Sequence, residues 1–598
     1  MQVEMTLGGR IAVAASYVEK DAVKALPGSR WEGGQWTVPR TWASCLALRG
    51  TFGDRLDVGP VLTAWSREEY DRRVAPATAL RTAQDVPHGA PTYDDRLRPF
   101  QRAGVAWLLT SHDGALLGDD VGAGKTVQVC VALKQLGHRR GVVIAPKSTL
   151  PAWRDHLRDW AGLRPAVASG SAAKRRQAFE EVAISRADVV VLAWENVRGH
   201  SSLAGYGNLA LSDEEKRPKE LQHLQPEFVV LDEAQRCKDP RAKMTRAVWA
   251  VGDAPSVVTR IAATATPVGN ALDDLWSIMR FVSPAEWPVK SKFVDRYCDM
   301  TWNRWGGMEV GGVKPATAHE LYGFLDPRYR AMPKDVVLRD LPPRLGGLED
   351  AEGRMVRWAE MGAKQEKAYR QMAADAVADL DGGRLLATGG LQRAARLLSL
   401  ASAYGEVSEY TTRDEDGTER LHQRLTLSEP SCKLDALEDL LTGELSAEKS
   451  VVVFTVSRQL ALLAAARAEK VTGRPARTIV GGQSDWEREE VIRGFQDKTY
   501  GTVVATIAAG GAGITLTAAR VAVYLQRDFS YINNYQSEGR IHRIGSEVHD
   551  RVLYYDVLTP GTPDERVLQV LRTKQDVSSQ VTRYEDLRKL FLGEVAVA

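Results

Sequence analysis

Cysteine is scarce and scattered. The five residues, Cys45, Cys130, Cys237, Cys298 and Cys432, form no Cys-x-x-Cys pair, which argues against a zinc module and a disulfide framework and fits a reducing cytoplasm. Charge of one sign is lacking too: 79 Lys and Arg against 77 Asp and Glu leave a net +2. No global field points to nucleic acid, so any such path must be a local groove. No uncharged apolar run approaches the roughly 18 residues of a membrane span, which excludes a membrane partner. Met1-Gln-Val-Glu-Met-Thr has no basic stretch leading into an apolar one, so no signal peptide is predicted. Internal repeats and low-complexity tracts are missing as well. What remains is an ordinary soluble composition, 44% apolar and 26% charged. At 598 residues the chain is too long for one core, and about two to four domains are expected.

Short β-branched runs, each followed by turn residues and a helical pattern, fall in two sets. The first covers residues 141–146, 187–194, 227–234 and 259–266. The second covers 450–457, 477–481, 502–508, 521–526 and 552–558. Continuous apolar strands alternating with helices predict parallel sheets covered on both faces, hence α/β with two doubly wound lobes. Strand signals are sparse between residues 271 and 449, where helical patterns at 365–377 and 391–402 predict helical insertions. Residues 410–420 read as an exposed polar loop. Residues 1 to about 70 stand apart, and 29–39 read as two strands around a Gly33-Gly34 turn. The expected domains are a small N-terminal α+β module at 1–75, a first lobe at 90–345 with a helical protrusion at 272–340, and a second lobe at 346–598 with a helical insertion at 355–445.

Residues 116–126, Leu-Leu-Gly-Asp-Asp-Val-Gly-Ala-Gly-Lys-Thr, end like a phosphate-binding loop. Such a loop works because backbone N–H groups and a helix N-terminus surround the phosphates while a lysine neutralises them. Gly122 and Gly124 let the backbone curl, Lys125 would reach the outer phosphates and Thr126 would hold Mg²⁺. Asp119 departs from the strict pattern, which wants glycine there. Support comes from Asp232-Glu233 at the end of an apolar strand: Asp232 would bind the metal and Glu233 would activate the attacking water. Gln101, just ahead of the loop, could read adenine, since an amide donates and accepts at once; a surface helix position is the other reading. Arg540 and Arg543, three apart on an expected helix, would share a face and could reach a phosphoryl transition state.

With these elements in order, the chain resembles superfamily 2 helicases, and within them the Swi/Snf-type DNA translocases, from about residue 96 to 566. Residues 142–153 resemble the family's motif Ia, 188–195 its next strand element, 260–276 its motif III with extension, and 431–435 the start of its second lobe. Residues 510–519 resemble motif V and 536–545 motif VI. The resemblance implies two RecA-like lobes that bind ATP and Mg²⁺ and move along DNA, with Gly513 and Gln536 added to the nucleotide site. It implies backbone contacts to DNA from Lys147, Ser148, Trp194, Ser457, Arg458, Gly510, Gly511 and Thr515. The long stretch between Thr266 and Val451 favours duplex over RNA substrates, because compact RNA helicases join their lobes by short linkers. Gln235 replaces a usual histidine, Phe529-Ser530-Tyr531 an aromatic-Asn-Pro, and Ser546 a glutamine. Arg328-Tyr-Arg330 matches the pair before the lobe linker only loosely. Residues 1–75 resemble the HARP-like module of annealing helicases; an accessory hairpin packed on Trp31, Trp36 and Trp42 is the alternative.

The expected function is ATP-dependent movement along duplex or forked DNA in repair, recombination or replication, by a monomer in a bacterial or phage-infected cytoplasm. A strand-unwinding helicase and a nucleotide-gated scaffold without turnover are the competing readings.

Overall fold

The computed structural model describes residues 1–86, 94–268, 272–302, 308–348, 350, 352–387, 390–413, 419–510 and 513–582. Two compact units divide the chain, the first built mainly from Met1–Arg339, with the residues from Ser578 on grouped with it, and the second from Asp340–Val577.

The first unit opens with a five-stranded sheet made of β1 (Gln2–Met5), β2 (Ile11–Ala14), β3 (Arg30–Glu32), β4 (Gln35–Val38) and β5 (Asp57–Val58), in the order β3-β4-β2-β1-β5. β3 and β4 are joined through Gly33 and Gly34 at φ 58° and 78°, the pair of positive angles a two-residue hairpin turn demands. This small N-terminal sheet shares its apolar packing with the rest of the first unit. Its buried Val3, Ile11 and Val38 belong to one apolar cluster that runs on to Trp287, Phe293, Tyr297 and Phe324. Lys292 Nζ donates to Ser29 Oγ at 2.7 Å. Arg296 pairs with the buried Glu320 at 2.7 Å and donates to Thr51 Oγ1 at 2.8 Å.

Next comes a parallel sheet of β6 (Ala115–Leu117), β7 (Gly141–Ala145), β8 (Pro165–Ala168), β9 (Val189–Ala193), β10 (Phe228–Asp232) and β11 (Thr259–Ala263). β7 and β9 are buried along their whole length, and β10 up to its last residue, as continuous Val/Ile/Leu runs covered on both faces should be. The segment expected to be a helical protrusion carries helices Asp273–Val282, Lys290–Tyr297 and Ala318–Leu325. It also carries an antiparallel hairpin, β12 (Cys298–Trp302) with β13 (Met308–Val313). β14 (Tyr329–Arg330) then returns to the sheet, whose order is β14-β6-β11-β10-β7-β9-β8.

The second unit places β15 (Arg344–Gly346) and β16 (Val356–Trp358) alongside its last strand, and interposes the hairpin β17 (Val377–Leu380) with β18 (Gly383–Leu386) and the ribbon β19 (Tyr404–Arg413) with β20 (Glu419–Ser428). Its parallel core is β21 (Val451–Thr455), β22 (Ala476–Ile479), β23 (Thr502–Thr506), β24 (Val521–Tyr524) and β25 (Val552–Leu558), ordered β15-β25-β24-β21-β23-β22. Helices Ala363–Asp375 and Gly390–Ser402 lie where the sequence expects helix. The expected polar loop at 410–420 is instead the outer end of β19 and β20, save residues 414–418, which lie outside the described residues. Tyr410 stacks on His422 with centroids 5.3 Å apart, a cross-strand pair that holds the register. Both faces of the ribbon's outer end are polar, which hides the period-two pattern.

Gly346 shows how tightly the start of this unit is fitted. Its φ is +82°, and a Cβ there would lie 2.1 Å from the carbonyl oxygen of Tyr554. Gly346→Ala is expected to destabilise the second unit by about 2 kcal/mol or more, read as a lowered midpoint in chemical denaturation of the full chain. Among the described residues no helix is long and apolar enough to cross a membrane.

Candidate active site

β6 ends at Leu117, and the loop that follows turns into helix Lys125–Leu136. Gly122 and Gly124 sit at φ 85° and 80°. A Cβ on Gly124 would lie 2.5 Å from Gln101 Nε2, so the loop needs glycine there for shape and for space. Lys125 Nζ donates to the carbonyls of Asp119 at 2.7 Å and Asp120 at 3.2 Å. The ammonium thus bridges the mouth of its own loop, at the helix N-terminus where an anion would lie. Thr126 is the next residue of that helix and is half-buried.

Asp119 accounts for its own departure from the strict glycine pattern. It is wholly buried and accepts from Gln128 Nε2 at 3.0 Å and from Met332 N at 3.0 Å, while Arg330 Nε lies 3.9 Å away. Burial outweighs these partners and raises its pKa. The same Arg330 donates to the carbonyls of Leu80, Arg81, Ala83 and Phe100. One guanidinium therefore ties the loop's first carboxylate to the chain that leads into helix Pro99–Thr110.

That helix carries Gln101, which is buried: its carbonyl accepts from Arg98 N at 3.0 Å and its amide donates to Ala123 O at 3.0 Å. Gln101 braces the phosphate loop, which corrects the reading of a surface position and leaves one lone pair and one N–H for a base.

Asp232 closes β10. Trp153 Nε1 donates to its Oδ2 at 2.9 Å, with Thr149 Oγ1 3.3 Å from the same oxygen. Surrounding protein and then the neighbouring Glu233 push its pKa up to about 6. Glu233 takes φ 54°, rare for a non-glycine residue, and accepts from Gln235 Nε2 at 2.9 Å. So Gln235 orients the carboxylate expected to act as base. Two adjacent carboxylates at a strand end suit a divalent cation. Among the described residues no group of three or more ligating side chains exists, so such an ion would complete its shell with phosphate oxygens and water.

In the second unit, Arg540 and Arg543 do not lie on a helix as expected: helix Tyr531–Glu538 ends before them. Gly539 ends the helix, and the chain turns. Both guanidiniums still converge, with Arg540 Nη1 3.4 Å and Arg543 Nη1 3.0 Å from the carbonyl of Ile514. Burial lowers the pKa of Arg543. Glu538 anchors the helix end by accepting from Arg344 at 2.6 Å, Arg527 at 2.8 Å and Leu348 N at 3.0 Å. Gln536 is buried in the same helix, and Gly513 is exposed at φ 70°.

The residues expected to touch DNA are placed unevenly. Lys147 is exposed and Ser148 half-buried on the turn after β7; Arg458 is exposed and Thr515 half-buried. Ser457 caps helix Arg458–Thr472 by accepting from Leu460 N. Gly510 is buried, and Gly511 lies outside the described residues. Trp194 is fully buried and donates Nε1–H to Asp232 O at 2.9 Å, so a phosphate contact from its side chain is corrected to a structural one. Sequence reasoning missed Thr149 and Trp153 on Asp232. Their spacing of four on a segment that leaves a buried strand end was the available signal.

Comparison with known proteins follows the same course. The SNF2-related domain matches residues 100–402 and the helicase conserved C-terminal domain matches 432–545. The chain is 28% identical over 522 residues to the putative ATP-dependent helicase/translocase YwqA of Bacillus subtilis, covering 85% of this chain and 51% of that protein. It is 25% identical over 605 residues to Protein CHROMATIN REMODELING 24 of Arabidopsis thaliana, covering 92% and 53%. The Sulfolobus solfataricus SWI2/SNF2 ATPase core in complex with dsDNA aligns at 21% identity and a TM-score of 0.34, covering 83% of this chain and 94% of that one. The chain spans about half the length of the curated relatives it matches. With a phosphate-type loop, a carboxylate pair at a strand end of the same sheet and a domain match over half its length, the chain belongs to the SNF2-related family.

Proposed function

We propose that the chain hydrolyses ATP and uses the energy to move along duplex or forked DNA. The observation that carries this reading is the setting of Lys125, which bridges the mouth of a glycine loop at a helix N-terminus within the same sheet that ends in Asp232 and Glu233. Mg²⁺ bound with the nucleotide would neutralise phosphate charge, and Thr126 and Asp232 are the residues to hold it. Lys125 binds the outer phosphates and Glu233, held by Gln235, accepts a proton from the attacking water. Gly122 and Gly124 shape the phosphate seat, Gln101 braces it, and Gly513 and Gln536 complete the nucleotide contacts. Arg540 and Arg543 supply positive charge to the phosphoryl group in transit.

On the DNA side, Lys147, Ser148, Ser457, Arg458, Gly510 and Thr515 are hydroxyls, amides and cations suited to a backbone read without sequence. Binding is therefore expected to weaken steeply with salt and to show little sequence preference, measured by titration of unrelated duplexes from low to moderate salt. A flat salt response would refute backbone reading. The domain division proposed is a DNA-form-selecting accessory at 1–75 and lobes at 90–345 and 346–598. A role like that of the HARP-like module at forks, within repair or replication, rests on the Trp31–Trp36 hairpin alone.

The test is phosphate release without DNA and with single-stranded, duplex and forked DNA. Stimulation by duplex or fork supports the reading. Nucleotide binding without turnover on any DNA would leave a nucleotide-gated scaffold in its place.

A further inference from the structure

The carboxylate of Asp232 is gripped from one short stretch of chain. Residues Lys147–Thr149 form a single turn after β7, and helix Leu150–His156 follows at once. The turn has two sides. Lys147 is exposed and Ser148 half-buried, while Thr149 is buried. Thr149 Oγ1 stands 3.0 Å from Pro146 O and 3.3 Å from Asp232 Oδ2, so its one proton serves either the strand end or the carboxylate. Four residues on, and hence on the same helical face, Trp153 delivers its indole N–H to that same Oδ2 at 2.9 Å. Its ring is 1% exposed, so the bond is not diluted by water. Trp194 fixes the main chain of the same residue through its carbonyl at 2.9 Å. With both side-chain donors on Oδ2, the carboxylate has one rotational setting and Oδ1 is directed away from them.

We infer that Trp153 is a positioning residue for Asp232, with Thr149 as its partner, and that the two link the setting of this carboxylate to the turn carrying Lys147 and Ser148. The inference rests on the proposed nucleotide site. An anion gripped by Lys147 and Ser148 shifts a turn whose next residue shares its proton with Asp232, and whose helix holds the indole. A hydrogen bond to an ionised carboxylate is of the stronger kind, so its loss registers where Asp232 is used.

Trp153→Phe keeps an aromatic ring and deletes the N–H; Thr149→Val keeps shape and deletes the hydroxyl. Three measurements on the full chain decide the matter: binding of a fluorescent ADP across a Mg²⁺ titration, phosphate release with and without duplex DNA, and the thermal midpoint. Trp153→Phe is expected to raise the Mg²⁺ needed for half-maximal nucleotide binding about tenfold, the scale of one charge-assisted hydrogen bond. It should also reduce stimulation by duplex DNA about tenfold with equilibrium DNA binding unchanged. Thr149→Val should shift both in the same direction by less. In an Asp232→Asn background neither substitution should alter nucleotide binding further. Mg²⁺ dependence and DNA stimulation that stay at wild-type values in both variants, with only the midpoint lowered, would overturn the inference and leave the indole as core packing. A wild-type chain that never releases phosphate would instead defeat the proposed function, while the nucleotide-binding measurement would still decide the role of Trp153.

Discussion

Lys125→Ala is expected to abolish ATP hydrolysis while leaving equilibrium binding to duplex DNA intact. The side chain donates to two loop carbonyls, Asp119 O and Asp120 O, so its removal frees the loop mouth without opening the core beneath it. Asp119 keeps its bonds from Gln128 and Met332 N, and Gln101 keeps its bond to Ala123 O. The phosphate seat therefore survives in outline but loses the one cation in its helix N-terminus. Loss of a preorganised donor aimed at developing charge costs at least about a hundredfold in rate, and a full charge at the transferred group costs more. Phosphate release at saturating duplex, beside a DNA titration of the same preparation, checks both halves of the expectation. DNA-stimulated turnover retained by a clean variant would defeat the assignment of Lys125. Loss of DNA binding along with turnover would mean that the loop also shapes the DNA-facing surface.

The parallel cores were legible because their chemistry is local. Strands such as β7, β10, β21 and β23 are short runs of Val, Ile, Leu and Phe with turn residues beyond them, and both faces of each are covered. β6, β14 and β15 were not legible. β6 and β15 are three residues long and β14 two, too short for any period, and their pairing is set by neighbours far along the chain. The β19–β20 ribbon hid for another reason: its outer residues are exposed on both sides, so burial imposes no alternation. At the site, the glycine loop and the Asp-Glu pair were readable from residue type and position. The supports were not. Trp153, Gln128 and Arg330 act through distances that exist only after folding, and Trp194, expected at a DNA backbone, donates its indole N–H to Asp232 O. Gln101 and Trp194, read as ligand contacts, brace the glycine loop and the strand end at Asp232.

Arg540→Ala is expected to slow hydrolysis by roughly 10³-fold or more, within the range an arginine contributes to phosphoryl transfer, with nucleotide and DNA still bound. Geometry in the second unit sets the terms. Arg540 and Arg543 leave helix Tyr531–Glu538 by a turn, and both point one Nη1 at Ile514 O. A backbone carbonyl is a neutral acceptor, a weaker partner than a carboxylate or phosphate, so the bond to Ile514 O aims each guanidinium without itself neutralising it. Contrast Arg527, whose two carboxylate partners, Asp556 and Glu538, lie at 2.6 and 2.8 Å; that arginine is built into the fold. Arg527→Ala should therefore lower the thermal midpoint, and Arg540→Ala should remove turnover. Arg540→Lys separates charge from shape: it restores a cation but not the planar fork, and recovery of only a small part of the rate is expected. Full activity in Arg540→Ala would show that the turn after Glu538 takes no part in the reaction.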